Sequence, residues 1–349
     1  MKEQNIKNIV RGCIATLSPY STARDEYKGS LGVFLDANES PYENGYNRYP
    51  DPHQKQLKQA ISQVKGVAAE NIFIGNGSDE AIDLLFRVVC EPRQDNVVAI
   101  APSYGMYKVA AAINDVEMRE VQLGTDFSLP VDELLQSADE HTKLIFLCSP
   151  NNPTGNSFPR ADMLRVAEEF EGVVVVDEAY IDFADAESLT DAIAAYPNLV
   201  VLQTMSKAWG MAGLRVGLAI ADDYIIGLMS QVKYPYNINL ATMHLVEELL
   251  REPVLEHVAE IKIQREALSA ALTSMSFVEH VYPSDANFLL VKVADADALY
   301  DHLIADGIIV RNRNRIKGCE GCLRITVGMP HENEKLIKSL KKYEESLVY

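Results

Sequence analysis

A lysine can attack an aldehyde usefully only if something beside it holds the aldehyde-bearing molecule. The run Thr204-Met205-Ser206-Lys207-Ala208-Trp209-Gly210-Met211-Ala212-Gly213-Leu214-Arg215-Val216-Gly217 offers both parts. The Lys207 amine is a nucleophile suited to a Schiff base. Ser206 and Arg215 bring a hydroxyl and a planar guanidinium to a phosphate. The glycines let backbone approach a bulky ligand. Taken alone, the run also fits a solvated surface lysine.

Two upstream runs add chemistry. Ser149-Pro150-Asn151-Asn152-Pro153-Thr154-Gly155 follows the apolar Leu144-Ile145-Phe146-Leu147-Cys148, which reads as a buried strand. Asn152 then lies at the carboxyl end of a strand, where open α/β sheets bind ligands. A plain turn is the other reading, since Asn, Pro and Gly favour turns. Further on, four consecutive valines precede Asp177-Glu178-Ala179-Tyr180. Asp177 ends a strand buried on both faces, with Tyr180 just beyond. A carboxylate there needs a partner. A protonated pyridine nitrogen would be one, and the alternative is a helix N-cap.

The elements that must position these residues alternate along the chain. Asn71-Ile72-Phe73-Ile74 is followed by the turn Gly75-Asn76-Gly77-Ser78-Asp79-Glu80 and an apolar-periodic helix over 81–89. Ser78 reads as an N-cap, and the first-turn N–H groups could bind a phosphate; an ordinary capped helix needs no ligand. Strand-like runs recur at 97–101, 144–148, 173–176, 200–202 and 216–220, separated by helical stretches. This predicts an α/β fold, a mostly parallel sheet covered on both faces. A turn-rich break at 233–239 precedes a long helical region interrupted at Pro253. Strand candidates at 287–291, 307–311 and 323–327 then predict a small α+β domain. The expected division is an N-terminal segment 1–48, a large domain 49–234, and a connecting helix with the small domain over 235–349.

The motifs in this order and spacing resemble the aminotransferases among the fold-type-I pyridoxal-5′-phosphate enzymes. Leu35-Asp36-Ala37-Asn38-Glu39-Ser40-Pro41, Asn47-Arg48-Tyr49-Pro50, Pro102-Ser103-Tyr104-Gly105-Met106-Tyr107 and Gly321-Cys322-Leu323-Arg324-Ile325-Thr326-Val327-Gly328 are similar to the histidinol-phosphate aminotransferase family. The similarity runs from about Tyr20 to the last helix. It implies pyridoxal 5′-phosphate as cofactor, with Lys207 bonded to its aldehyde and Asp177 paired with its pyridinium nitrogen. Tyr180 and Asn152 would bond its phenolic oxygen. Ser206 and Arg215 would hold its phosphate, with Ser78, Asp79 and Thr204 in the same cofactor site. Tyr104 would stack on the ring or simply occupy a turn. The N-terminal segment 1–48 would pack with the small domain. Tyr49 would reach the cofactor phosphate of a neighbouring subunit, implying a homodimer with shared sites.

The same resemblance implies amino transfer between L-histidinol phosphate and 2-oxoglutarate in histidine biosynthesis. Arg324 would meet the phosphate of one substrate and the α-carboxylate of the other, although a salt-bridged surface arginine fits the sequence too. Tyr20 and Arg311 are further substrate candidates, and Asn38 and Glu39 could face the imidazole. An aromatic amino acid aminotransferase, a decarboxylase of a phosphorylated amino acid, and a non-catalytic binding protein of the same fold are the alternatives. Intact Lys207, Asp177 and Tyr180 argue against the last.

Composition narrows the partners. The 349 residues carry a formal net charge of −18, which argues against non-specific binding of nucleic acid or anionic membranes. The same field repels a phosphate dianion, so local arginines must overcome it. Arg311-Asn312-Arg313-Asn314-Arg315-Ile316-Lys317 is a basic island in this acidic chain, and a solvated loop is the alternative reading. No apolar stretch reaches transmembrane length and no signal peptide is evident, so cytoplasmic residence is expected. The five cysteines do not suggest a secreted disulfide framework. Cys319-Glu320-Gly321-Cys322 lacks the second pair of a typical zinc site, and no metal is expected.

Overall fold

Unbroken valine, isoleucine and leucine runs cannot leave either face in water, and they build the centre of this molecule. The computed structural model describes residues 2–22 and 32–347. Seven strands form the large sheet: β1 (Ile72–Asn76), β2 (Asn96–Ala101), β3 (Glu117–Gln122), β4 (Thr142–Cys148), β5 (Val173–Asp177), β6 (Leu199–Thr204) and β7 (Val216–Ala221). Their order is β1-β7-β6-β5-β4-β2-β3. β3, β2, β4, β5 and β6 run parallel, and β7 is antiparallel to both of its neighbours.

The two-residue period sorts the core. Val174 and Val176 face one apolar layer with Ile145, Leu147 and Val98. Val173 and Val175 face the other with Phe146, Leu144 and Val97. Each fully buried valine stabilises the fold by about 1.5–3 kcal/mol relative to exposure. The helix Ser78–Val89 covers the second layer through Ala81, Leu85 and Val88.

A second sheet, entirely antiparallel, has the order β10-β11-β9-β8. It consists of β8 (Val278–Val281), β9 (Phe288–Val293), β10 (Arg311–Asn312) and β11 (Cys322–Thr326). The helices Ala296–Ala305 and Pro330–Ser346 and the end of the helix Val254–Thr273 enclose its own core. Pro253 is the N-cap of that last helix, consistent with an interruption at that residue.

Four expectations need correcting. β3 and β8 lie outside the strand-like runs of the sequence, because both are edge strands with partly exposed faces and no continuous apolar run. β10 begins only at Arg311, the last residue of the expected 307–311 run, of which Ile309 is exposed. Ser78 is the first helical residue, and Gly77 is the N-cap with no side-chain bond. The start of the chain packs on the large-sheet side, not on the small domain. Ile6 and Val10 join the layer of Phe86 and Val88, and Arg11 pairs with Glu91 at 3.1 Å. Residues 23–31 of the expected N-terminal segment lie outside the described residues.

Candidate active site

The carboxyl ends of β4, β5 and β6 open into a cavity of about 540 Å³, closed on another side by the small sheet. At the end of β4, two adjacent asparagines divide the work. Asn151 is buried and pins the loop, donating to the Pro102 carbonyl at 2.9 Å and to Thr154 at 2.8 Å, and accepting from Ser103 at 2.9 Å. Asn152 lines the cavity, and its Oδ1 accepts a hydrogen bond from Arg324 across the two sheets.

At the end of β5, neighbouring carboxylates have opposite fates. Glu178 accepts from Ser188 Oγ at 2.6 Å, the Leu189 amide at 2.7 Å and Gln203 at 3.0 Å, tying β5 to β6 and the following turn. Asp177 lines the cavity at 2 % exposure and accepts only from the Tyr107 hydroxyl at 2.9 Å and the Ala179 amide at 3.1 Å. It has no ion pair among the described residues. Burial raises its pKa to about 6, against the lowering effect of those two bonds. The turn after it starts a 3₁₀ helix only at Ile181, so Asp177 caps nothing. This carboxylate therefore faces the cavity in want of a cation.

Tyr180 is buried in an apolar wall with Phe288, their rings edge to face at 5.2 Å. The Lys207 ammonium nitrogen lies 5.6 Å from the centre of the Tyr180 ring. Burial lowers the Lys207 pKa, Arg324 and Arg215 push the same way, and Asp177 opposes them. Tyr104 donates to Asp79 at 3.0 Å and meets Tyr107 edge to face at 5.7 Å.

Arg215 is held by the fold itself. Its backbone is left-handed at φ 56°, and its carbonyl accepts from the Gly77 amide at 2.8 Å. The guanidinium reaches Ser206 Oγ at 3.4 Å and Asp79 at 3.6 Å. Gly77 sits at φ 76°, a backbone conformation that favours glycine, and a Cβ there would meet the end of the Arg215 guanidinium at 2.4 Å and push it from its place. Gly217 is tighter still, because its Cβ would sit 2.0 Å from the Ser78 backbone nitrogen. Thr204 ends β6 and accepts from the Ser206 amide at 3.1 Å. Ser78, Asp79, Thr204, Ser206 and Arg215 all line the cavity beside the start of the helix Ser78–Val89. The amides of a helix start, a hydroxyl and a guanidinium are groups that can bind an anion such as a phosphate.

The small sheet contributes a second basic wall. Arg324 on β11 lies directly opposite Arg311 on β10, and both line the cavity with Arg313. Arg324 stacks 5.1 Å from the Phe288 ring centre, and its Nε is buried without a partner. Arg313 and Tyr107 join the site as well; each lies in a run that the sequence marks, the basic island 311–317 and the motif Pro102–Tyr107, but neither is singled out there as a site residue. Tyr107 lies in the first turn of the helix Met106–Ile113, just after Tyr104, and Arg313 falls two residues after Arg311, the spacing of one strand face. Tyr20, at 76 % exposure, and Asn38, Glu39 and Tyr49 do not line this cavity. Glu39 pairs with Arg48 at 2.7 Å and accepts from the Tyr49 amide at 2.7 Å. Cys319 and Cys322 are buried, with thiols pushed up by burial to about 12 and about 11. No metal-binding cluster of acidic, His or Cys residues occurs among the described residues.

Residues 31–340 match the family model described as aminotransferase class I and II. The chain is 53 % identical over 340 residues to histidinol-phosphate aminotransferase of Parabacteroides distasonis, covering 97 % of this chain and 99 % of that one. It is 52 % identical over 344 residues to the enzyme of the same name from Bacteroides fragilis, covering 98 % of this chain and all of the other. The crystal structure of histidinol-phosphate aminotransferase from Sinorhizobium meliloti, in complex with pyridoxal-5′-phosphate, superposes with a TM-score of 0.78 at 25 % identity, over 86 % of this chain and 83 % of that one. The chain belongs to the class I and II aminotransferases, among the histidinol-phosphate aminotransferases.

Proposed function

We propose that this protein transfers an amino group between L-histidinol phosphate and 2-oxoglutarate, giving imidazole acetol phosphate and glutamate in histidine biosynthesis, with pyridoxal 5′-phosphate as cofactor. The observation that carries the substrate reading is the wall of Arg311, Arg313 and Arg324, which faces the cavity with no carboxylate partner among the described residues. In a chain of net charge −18, unpaired guanidiniums in one cavity suit anions that arrive from solution.

The site's residues fit the cofactor. Asp177, buried and unpaired, suits a pyridinium nitrogen, and Tyr107 orients it. The helix start at Ser78, with Asp79, Thr204, Ser206 and Arg215, suits the phosphate. Tyr180 and Asn152 suit the phenolic oxygen, Tyr104 a ring face, and Lys207 the aldehyde. When bound, pyridoxal phosphate supplies an aldehyde that takes up amino groups and a ring that accepts the electrons of a breaking carbon–hydrogen bond. The protein supplies position and protons. Lys207 Nζ, made less basic by burial and by two arginines, takes the proton from the substrate carbon that bears the amine. Arg324 holds the anionic end of each substrate in turn, the two half-reactions alternating at one site. Phe288 and Tyr180 keep water from the back of the cavity.

The active unit in this reading is a homodimer. Tyr49 is 52 % exposed, stacks on Tyr236 at 4.5 Å and lines a separate surface pocket with Arg48 and Tyr46. Residence in the cytoplasm is part of the proposal, and no helix among the described residues is long and apolar enough to cross a membrane. The test is glutamate formation from 2-oxoglutarate by the cofactor-loaded protein, offered L-histidinol phosphate, L-histidinol, phenylalanine or tyrosine. Strong preference for L-histidinol phosphate is expected. A wide preference for an aromatic amino acid, or release of carbon dioxide without glutamate, would overturn the assignment.

A further inference from the structure

A single carboxylate is fully matched by one bidentate guanidinium, yet three arginines line the small-sheet wall of this cavity. The strand geometry explains how they come together. Asn312 and Asn314 both donate to Asp297, at 2.6 and 3.0 Å, so the even-numbered side chains are pinned toward the helix Ala296–Ala305. The odd-numbered Arg311 and Arg313 take the other face by the two-residue period, and both line the cavity. The Arg313 amide donates to the Cys322 carbonyl at 2.9 Å, extending the β10–β11 ladder by one residue and fixing its direction. Arg311 stands directly opposite Arg324.

Arg313 is half-buried, and its Nε is buried without a partner. No carboxylate pairs with it among the described residues, whereas Arg11, Arg48, Arg119 and Arg160 each have at least one. Burial and the charges of Arg324 and Arg311 lower its pKa to about 10. Like charges facing one another across neighbouring strands are destabilising, and a dianion neutralises more of this charge than a monoanion does.

We infer that Arg313 recognises the second negative charge of a phosphate substrate and so sets this site's preference for a phosphate dianion over a monocarboxylate. The inference rests on the transamination proposed above and assigns to Arg313 a specificity role that Arg324, which serves both substrates, cannot fill. Arg313 acts on binding and takes no part in proton transfer.

The experiment compares the cofactor-loaded wild type with Arg313→Gln and Arg313→Lys. KM is measured separately for L-histidinol phosphate and 2-oxoglutarate, and inorganic phosphate is tested as a competitive inhibitor. Arg313→Gln should raise KM for L-histidinol phosphate and the inhibition constant for phosphate by about tenfold or more, the size of one lost charge-assisted bond. KM for 2-oxoglutarate, kcat and the cofactor's visible absorbance should stay within about twofold of wild type. Arg313→Lys should recover most of the loss, because charge is what is read. The wild-type advantage should shrink as pH falls below about 6, where an alkyl phosphate becomes a monoanion. Equal losses for both substrates, or none for L-histidinol phosphate, would overturn the role of Arg313. A wild type that favours L-histidinol phosphate over L-histidinol while Arg313→Gln matches it overturns this inference alone. A wild type without that preference overturns the substrate reading as well.

Discussion

The two basic regions of the cavity are built on opposite principles. Arg215 is threaded into the fold: its carbonyl is bonded to Gly77, its guanidinium touches Ser206 and Asp79, and Gly77 leaves space for that guanidinium. Arg324 and Arg313 each keep a buried Nε without a partner, and Arg324 leans on Asn152 and the Phe288 ring. A resident anion can be met by a cup whose cations are already oriented, which keeps the cup stable between turnovers. Two different anions that must enter and leave in turn are better met by charges not locked into any one geometry. Lys207 feels both regions, since Arg324 and Arg215 both lower its pKa.

The largest effects lie between the two regions. Lys207→Ala should lose at least about 10²–10⁴ in kcat from proton transfer alone, and borohydride should no longer fix the cofactor to the chain. A label on any other lysine in the wild type would break the assignment. Asp177→Asn should still bind the cofactor and lose several powers of ten in kcat, each tenfold being about 1.4 kcal/mol of barrier. The same variant should gain stability in the cofactor-free protein. Asp177 titrates at about 6 in the fold and near 4 unfolded, so the folded state binds more protons between those values. Stability therefore falls as pH rises from about 4 to about 6, by on the order of 3 kcal/mol. Asp177→Asn should melt higher than wild type at pH 7, and the gap should close near pH 4. A gap independent of pH would show that the carboxylate's burial is not its source.

A pair of variants separates the two regions directly. Gly77→Ala crowds Arg215 in a left-handed backbone position, so cofactor affinity should fall by about tenfold to a hundredfold, the loss of one charge-assisted contact. KM for both substrates should hold once the protein is saturated with cofactor. Arg324→Lys keeps the charge and loses the planar fork. It should raise KM for L-histidinol phosphate and 2-oxoglutarate together, also by about tenfold to a hundredfold, with cofactor occupancy unchanged. If either variant moves the other's readout equally, the cavity works as one electrostatic unit and the contrast fails. If Arg324→Lys harms only 2-oxoglutarate, the phosphate is held elsewhere on the wall, with Arg311 the next residue to change.

Much of this contrast is legible in the chain, but unevenly. The central strands announce themselves because burial on both faces demands continuous apolar residues, as in the valines before Asp177. β3 and β8 carry charged and half-exposed residues at the sheet edges, where one neighbour and one face suffice, so no pattern marks them. Lys207, Asp177, Asn152 and Arg215 stand out because their types are unusual at strand ends and beside glycines. Ser78 misleads as a cap because the close approach of Arg215 reserves that place for glycine. Tyr107 and Arg313 stay hidden, since a tyrosine on an apolar helix and an arginine in a basic loop have ordinary explanations. What draws them into the site is a hydrogen bond to Asp177, 70 positions away, and the charge of Arg324, 11 positions away, both brought near only by the fold.

The smallest effect tests the cost of the unpaired wall. Arg311 and Arg324 are directly opposite one another in neighbouring antiparallel strands, and like charges in that register are destabilising by a few tenths of a kcal/mol. Arg311→Gln removes the repulsion, and Arg311 is exposed, so no buried group is orphaned by the change. The cofactor-free variant should therefore melt slightly above wild type at low salt. Raising the salt to about 1 M shortens the screening length to about 3 Å and should erase the difference. Inorganic phosphate should raise the wild-type melting temperature more than the variant's, because the anion removes the same repulsion by binding. A variant that melts lower at every salt concentration would mean that Arg311 stabilises the β10–β11 pair. That part of the small-sheet wall would then be built into the fold in the way Arg215 is, and the distinction between a resident cup and an open one would rest on Arg313 and Arg324 alone.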